Sequence, residues 1–198
     1  MKYILVYQEP ELGQAWRKHF APAQDVEIME GDICAIDCDA IVSPANSFGF
    51  MDGGLDHAIS ERFGWSLQEQ LQADIQKRPL KELLVGEAII IATKDSRVPW
   101  LISAPTMRVP MRLRQTVNAY LAMKAILTSA LAHPEINIIT IPGLGTGCGH
   151  LSPETAALQM WIAYSEVVFG NTTYPADYGE AQRRHVNLNR DVINLWEP

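Results

Sequence analysis

Short apolar runs, each cut off by proline or glycine, alternate along this chain with segments of helical character. Tyr3–Tyr7, Val26–Glu30, Ala40–Ser43, Glu87–Ala92, Trp100–Ala104 and Ile136–Ile141 read as strands. Gly31, Pro44, Pro105 and Pro142 stop four of them. Glu11–Phe20, Leu55–Phe63, Trp65–Lys77 and Leu113–Ala132 read as helices, the last through a stripe of Leu113, Val117, Tyr120, Leu121, Leu127 and Leu131. A further helix is predicted from Pro153 to Phe169, with Ser152 as its N-cap and Pro153 in the first helical position. Strands that alternate with helices predict an α/β domain of three layers, α/β/α, around a central mixed sheet.

The 198 residues suit one domain, 1–198, with 170–198 as a C-terminal extension. Gly170–Asn189 is polar and reads as irregular, and Asp191–Trp196 carries a last apolar patch. With 47% apolar and 20% charged residues, a largely disordered chain is excluded. No run reaches the ~18 apolar residues of a membrane span, and Glu9-Pro10-Glu11 ends the first apolar stretch too early for a signal peptide. Three widely spaced cysteines, Cys34, Cys38 and Cys148, argue for a reducing compartment, and a cytoplasmic location is expected. A net charge of −7 argues against broad electrostatic binding to nucleic acid, though not against a small anion held by backbone amides.

Two loops carry chemistry. Pro142-Gly143-Leu144-Gly145-Thr146-Gly147-Cys148-Gly149-His150 leaves a strand and enters a helix. Such a unit presents N–H groups beside a helix N-terminus, where phosphate is favoured. It lacks both the G-x-G-x-x-G spacing and the Gly-Lys-Ser/Thr ending of the common nucleotide fingerprints; a tight turn without ligand is the plainer alternative. The second loop, Ser43 to Asp56, also leaves a strand end, where open α/β sheets place their ligands. Asn46 can engage ribose hydroxyls or close an Asx-turn. Gly53-Gly54 allows close backbone approach, and Asp52 and Asp56 either serve chemistry or simply stabilise a helix start.

Glu30-Gly31-Asp32-Ile33, Asp39 to Asn46, Gly53 to Ile59 and Gly143 to Gly149, in that order, resemble a macro domain. The Gly-Leu-Gly-Thr-Gly form resembles the branch that contains ADP-ribose-1″-phosphate phosphatase. The resemblance implies a three-layer α/β/α fold with a mixed, largely parallel sheet that binds ADP-ribose. By it, Asp32 accepts a hydrogen bond from the adenine amine and the Ile33 amide helps hold the base. Asn46, Gly53 and Gly54 lie at the distal ribose. Gly145, Thr146, Gly147 and Cys148 form the diphosphate loop, and Gly143 and Gly149 are ligand-binding positions at its two ends. Asp56 stands ten residues after Asn46, the spacing of the catalytic aspartate in the hydrolytic branch. Three positions depart from that branch: Met51-Asp52-Gly53-Gly54 replaces a four-glycine stretch, Gly149 replaces an aromatic, and His57 replaces a glycine.

The resemblance thus implies an ADP-ribose-processing hydrolase, with Asp56 and Asn46 catalytic and an ADP-ribosyl ester, an ADP-ribosylated base or ADP-ribose-1″-phosphate as substrate. The alternatives are a non-catalytic ADP-ribose-binding module and an assembly protein with a vestigial pocket. No cofactor or metal is expected, since Cys34-x₃-Cys38 has no second ligand pair. The partner is ADP-ribose or an ADP-ribosylated substrate, with no membrane. His57 and His150 flank the loops and read as surface histidines or acid/base groups. Arg108, Arg112 and Arg114 select a phosphorylated substrate or form a solvated loop.

Overall fold

The computed structural model describes residues 1–189. The chain runs β1 (Lys2–Tyr7), α1 (Pro10–His19), β2 (Val26–Glu30), β3 (Ala40–Ser43), α2 (Gly54–Phe63), α3 (Ser66–Lys77), β4 (Ile89–Asp95), β5 (Val98–Ser103), α4 (Asn118–Leu131), β6 (Ile138–Ile141), α5 (Pro153–Val168) and α6 (Tyr178–Asn187). The strands form one sheet in the order β2-β1-β6-β3-β5-β4. Every pairing is parallel except that of β4 with β5, which places an antiparallel strand at one edge.

Side chains alternate across this sheet because successive residues of a strand face opposite ways. Tyr3, Leu5, Val42, Ile102 and Ile139 join a core shared with α1, α4 and α5. Ile4, Val6, Ile41 and Leu101 join a second core with α2 and α3. Near-continuous apolar runs are what a sheet covered on both faces requires. The result is the three-layer α/β/α arrangement with a mixed, largely parallel sheet.

Most elements match the expected ones to within about three residues at either end; two regions depart further. The helix expected from Leu113 begins only at Asn118. Leu113 is instead buried beneath the glycine loop, and its N–H donates to the Gly149 carbonyl (2.8 Å). Thr116 turns the chain by bonding back to the Leu113 carbonyl, and Gln159 Nε2 donates to the Thr116 carbonyl (2.9 Å). Tertiary contacts thus override the local helical pattern. The face of α4 that is buried carries Ala119, Ala122, Met123, Ile126 and Ala130, whereas Leu131 is exposed.

The stretch expected to be irregular, 170–189, contains α6. Asp177 caps it by accepting from the Glu180 N–H (2.7 Å), and Glu180 reaches back to the Ala176 N–H (2.6 Å). No residue of this helix is buried, so no apolar period announces it. The apolar patch at 191–196 lies outside the described residues.

Candidate functional site

The carboxyl ends of all five parallel strands open on one side of the sheet. The segments that leave them line a single cleft of about 530 Å³, a volume suited to a small-molecule ligand. Gln8 and Glu9 come from the end of β1, Gly31, Asp32 and Ile33 from β2, and the 44–56 loop from β3. Thr106, Met107 and Pro110 come from β5, and the 142–149 loop from β6. Asp32, Ile33, Asn46, Gly53, Gly54, Asp56, Gly143, Gly145, Thr146, Gly147, Cys148 and Gly149 all line this cleft.

Steric necessity shapes the 142–149 loop. Gly145 adopts φ +76°, a left-handed conformation that disfavours a side chain. A Cβ at Gly149 would lie 2.4 Å from the Gly145 carbonyl oxygen and 2.8 Å from Leu113. The loop closes through His150 N–H to the Gly147 carbonyl and Leu151 N–H to the Gly145 carbonyl, both 3.0 Å. Among the described residues, the N–H groups from Leu144 to Gly149 find no protein acceptor. A row of unpaired amides around a concave turn is an anion receptor.

Side-chain hydrogen bonds shape the 44–56 loop instead. Asn46 Oδ1 accepts from the N–H groups of Phe48 (3.1 Å) and Phe50 (3.3 Å), and its Nδ2 donates to the Phe50 carbonyl (2.7 Å). Met51 N–H donates to Gln68 (2.6 Å) and Ser60 Oγ to the Met51 carbonyl (3.2 Å). This wiring delivers the chain to α2, whose N-cap, Gly53, has no side chain to satisfy the first N–H groups. The positive end of that helix dipole therefore faces the cleft.

Asp56 lies in the first turn of α2 and is 8% exposed. Burial pushes its carboxyl from the ordinary 3.8 up to about 6, partly countered by a hydrogen bond from Ser43. Asp52 also lines the cleft but is exposed. Phe50, 55% exposed, supplies an aromatic edge to the cleft from the 44–56 loop. Asp32 Oδ1 accepts from the Cys34 N–H (2.9 Å), which fixes the turn that brings Asp32 and buried Ile33 to the cleft.

Other candidates sit elsewhere. His57 and His150 are exposed and do not line the cleft; His57 packs edge-on against Trp65. Arg108 makes a two-pronged bond to Glu82 (2.6 and 2.9 Å) and lies over the Phe48 ring, away from the cleft. Arg112 and Arg114 are exposed and outside the lining. Cys34 and Cys38 are buried free thiols, and burial pushes Cys34 up to about 11; Cys148 is exposed at the cleft wall. Among the described residues no group of three or more His, Cys, Asp or Glu is placed to hold a metal ion, and no helix is long and apolar enough to cross a membrane. Sequence reasoning missed Gln8, Glu9, Met107 and Pro110, for which strand-exit position is the available signal. It also missed Ser43 as a partner of Asp56.

The profile of the macro domain family matches residues 42–160. An uncharacterised protein of Aquifex aeolicus is 34% identical over 137 residues, 69% of this chain and 78% of that one. Among solved structures, a mutant Oceanobacillus iheyensis macrodomain with ADP-ribose superposes with a TM-score of 0.61 at 20% identity, covering 78% of this chain and 88% of that one. Thermosipho africanus DarTG in complex with ADP-ribose gives 0.56 at 15% identity, covering 82% of this chain and 49% of that one.

Proposed function

The chain belongs to the macro domain family, and we propose that it binds ADP-ribose in the cleft and hydrolyses an ADP-ribosyl derivative there. One observation carries the reading: the 46–56 and 143–149 loops face one cavity together with Asp32 and Ile33. The ligand named for its solved structural relatives supports the identity of the guest.

Asp32 and Ile33 receive the adenine. The unpaired amides of 144–149 and the uncapped start of α2 receive the diphosphate, without reorganisation when charge arrives. Asn46 retains one N–H beyond its loop bonds for the distal ribose. With its carboxyl near 6, Asp56 is mostly ionised at pH 7 and is poised as a general base. It takes a proton from water as the water oxygen bonds to C1″. The bond from C1″ to the departing carboxylate, base or phosphate breaks, and the departing group leaves with the proton from Asp56. A domain spanning 1–198, with 170–198 as its extension, belongs to the same reading. Three free thiols support a place in the reducing cytoplasm.

A non-catalytic reader of ADP-ribose is the second reading. It is favoured by Asn46, whose oxygen is wholly engaged inside its own loop. Calorimetric titration with ADP-ribose tests binding. Asp32→Ala is expected to weaken affinity by about tenfold, the cost of one charge-assisted hydrogen bond; unchanged affinity overturns the adenine assignment. A panel of mono-ADP-ribosylated protein, ADP-ribosylated nucleic-acid end and ADP-ribose-1″-phosphate separates hydrolase from reader. Turnover of none of them leaves the reader.

A further inference from the structure

We infer that Ser43 is the positioning residue for Asp56, its hydroxyl holding the carboxylate at the cleft wall in the orientation and charge state that hydrolysis needs. This rests on the hydrolase reading above. Ser43 is the last residue of β3, follows three apolar residues and is fully buried. Pro44 ends the strand directly after it. The hydroxyl points across to α2 and donates to Asp56 Oδ1. Among the described residues, no other side chain or backbone group donates to that carboxylate.

The elements packed against α2 offer no substitute. They are β3, α3, β4 and the single turn Ile33–Ala35. Their titratable and charged groups are Glu69, Asp74, Lys77, Lys94, Asp95 and Cys34. Asp74 pairs with Lys77, and Asp95 with Arg62 from α2 itself. Burial raises the Asp56 carboxyl and the Ser43 bond lowers it. A buried carboxylate with a single donor depends on that donor for its ionised form.

The fold supplies its own control. Ser103 is the register partner of Ser43 on the neighbouring strand and is equally buried, and its hydroxyl finds no partner. Losing it removes the same atom from the same layer without touching Asp56.

The test is a carbon-13 carboxyl NMR titration of Asp56 in the wild type, Ser43→Ala, Ser103→Ala and Ser43→Thr. In Ser43→Ala the midpoint is expected to move up by about one pH unit. In Ser103→Ala it should stay, and in Ser43→Thr it should return toward wild type. The acid limb of the turnover profile should move with the midpoint while ADP-ribose affinity holds within about twofold. An unmoved midpoint in Ser43→Ala, an equal shift in Ser103→Ala, or an alanine-like Ser43→Thr overturns the assignment. Should the wild type turn over no ADP-ribosyl substrate, the hydrolase reading fails, and with it the catalytic purpose assigned to Ser43. The titration still decides whether Ser43 governs the ionisation of Asp56.

Discussion

The two loops that wall the cleft are built on opposite plans. The 44–56 loop spends its side chains on itself: Asn46 binds three groups of its own turn, and Gln68 and Ser60 pin Met51. Among the described residues, the 142–149 loop uses no side-chain hydrogen bonds of this kind: its carbonyls at Gly145, Gly147 and Gly149 accept from Leu151, His150 and Leu113, and Gly149 packs close against the Gly145 carbonyl and Leu113. A loop fixed by side-chain bonds can aim side chains such as Asp56. A loop fixed through its carbonyls and close packing keeps its amides unspent, and those are what an anion needs. Chemistry and anion binding are thereby divided between two neighbouring strand ends.

The division breaks down if the two loops respond alike to substitution. Asp56→Asn should show the largest effect, cutting turnover by about 10²–10⁴-fold while leaving ADP-ribose affinity nearly unchanged. It should also stabilise the fold. The carboxyl of Asp56 titrates near 6 when folded and near 3.8 when unfolded. Between those values the folded state holds a proton the unfolded chain has released, so wild-type stability falls as pH rises through that window. The total is about 3 kcal/mol. Asparagine escapes this loss, so denaturant unfolding should show the variant more stable above pH 6 and equal to wild type only below about pH 3. Retained turnover would remove Asp56 from the chemistry.

Gly149→Ala comes next. A methyl group at 2.4 Å from a carbonyl oxygen forces the loop to move, and calorimetry should show affinity down about 100-fold, with a stability loss of about 1–3 kcal/mol. Preserved affinity would mean that the loop is not a rigid receptor. Asn46→Ala should have the smallest effect, about 5–10-fold in affinity and 1–2 kcal/mol in unfolding, since its bonds lie in a partly exposed turn. A larger loss of binding than Gly149→Ala gives would reverse the assigned roles.

Much of this architecture was legible in the sequence. Val26–Glu30 and Ala40–Ser43 coincide with β2 and β3, because proline and glycine end short apolar runs without tertiary help. The glycines of the 142–149 loop and Asp32 follow strand ends closely, whereas Gly53, Gly54 and Asp56 stand ten or more residues beyond β3. The roles of Asp32 and Asp56 were legible only through the likeness to the family. What escaped depended on contacts distant in sequence. Leu113 carries a helical pattern, but its burial under Gly145 and Gly149 delays α4 by five residues. The polar helix α6 has no apolar face to betray it, although Asp177 and Glu180 already spelled a capping pair. Ser43 reads as an ordinary strand end, and its partnership with Asp56 exists only once α2 has folded back over β3.

The cleft draws its walls from segments as far apart in sequence as Val6 and Gly149. A guest seated there would contact segments that only the complete sheet brings together. Its binding energy would therefore oppose melting of the assembled sheet rather than the fraying of any one loop. Saturation should slow hydrogen exchange in the central strands β1, β6 and β3, which no ligand atom needs to touch.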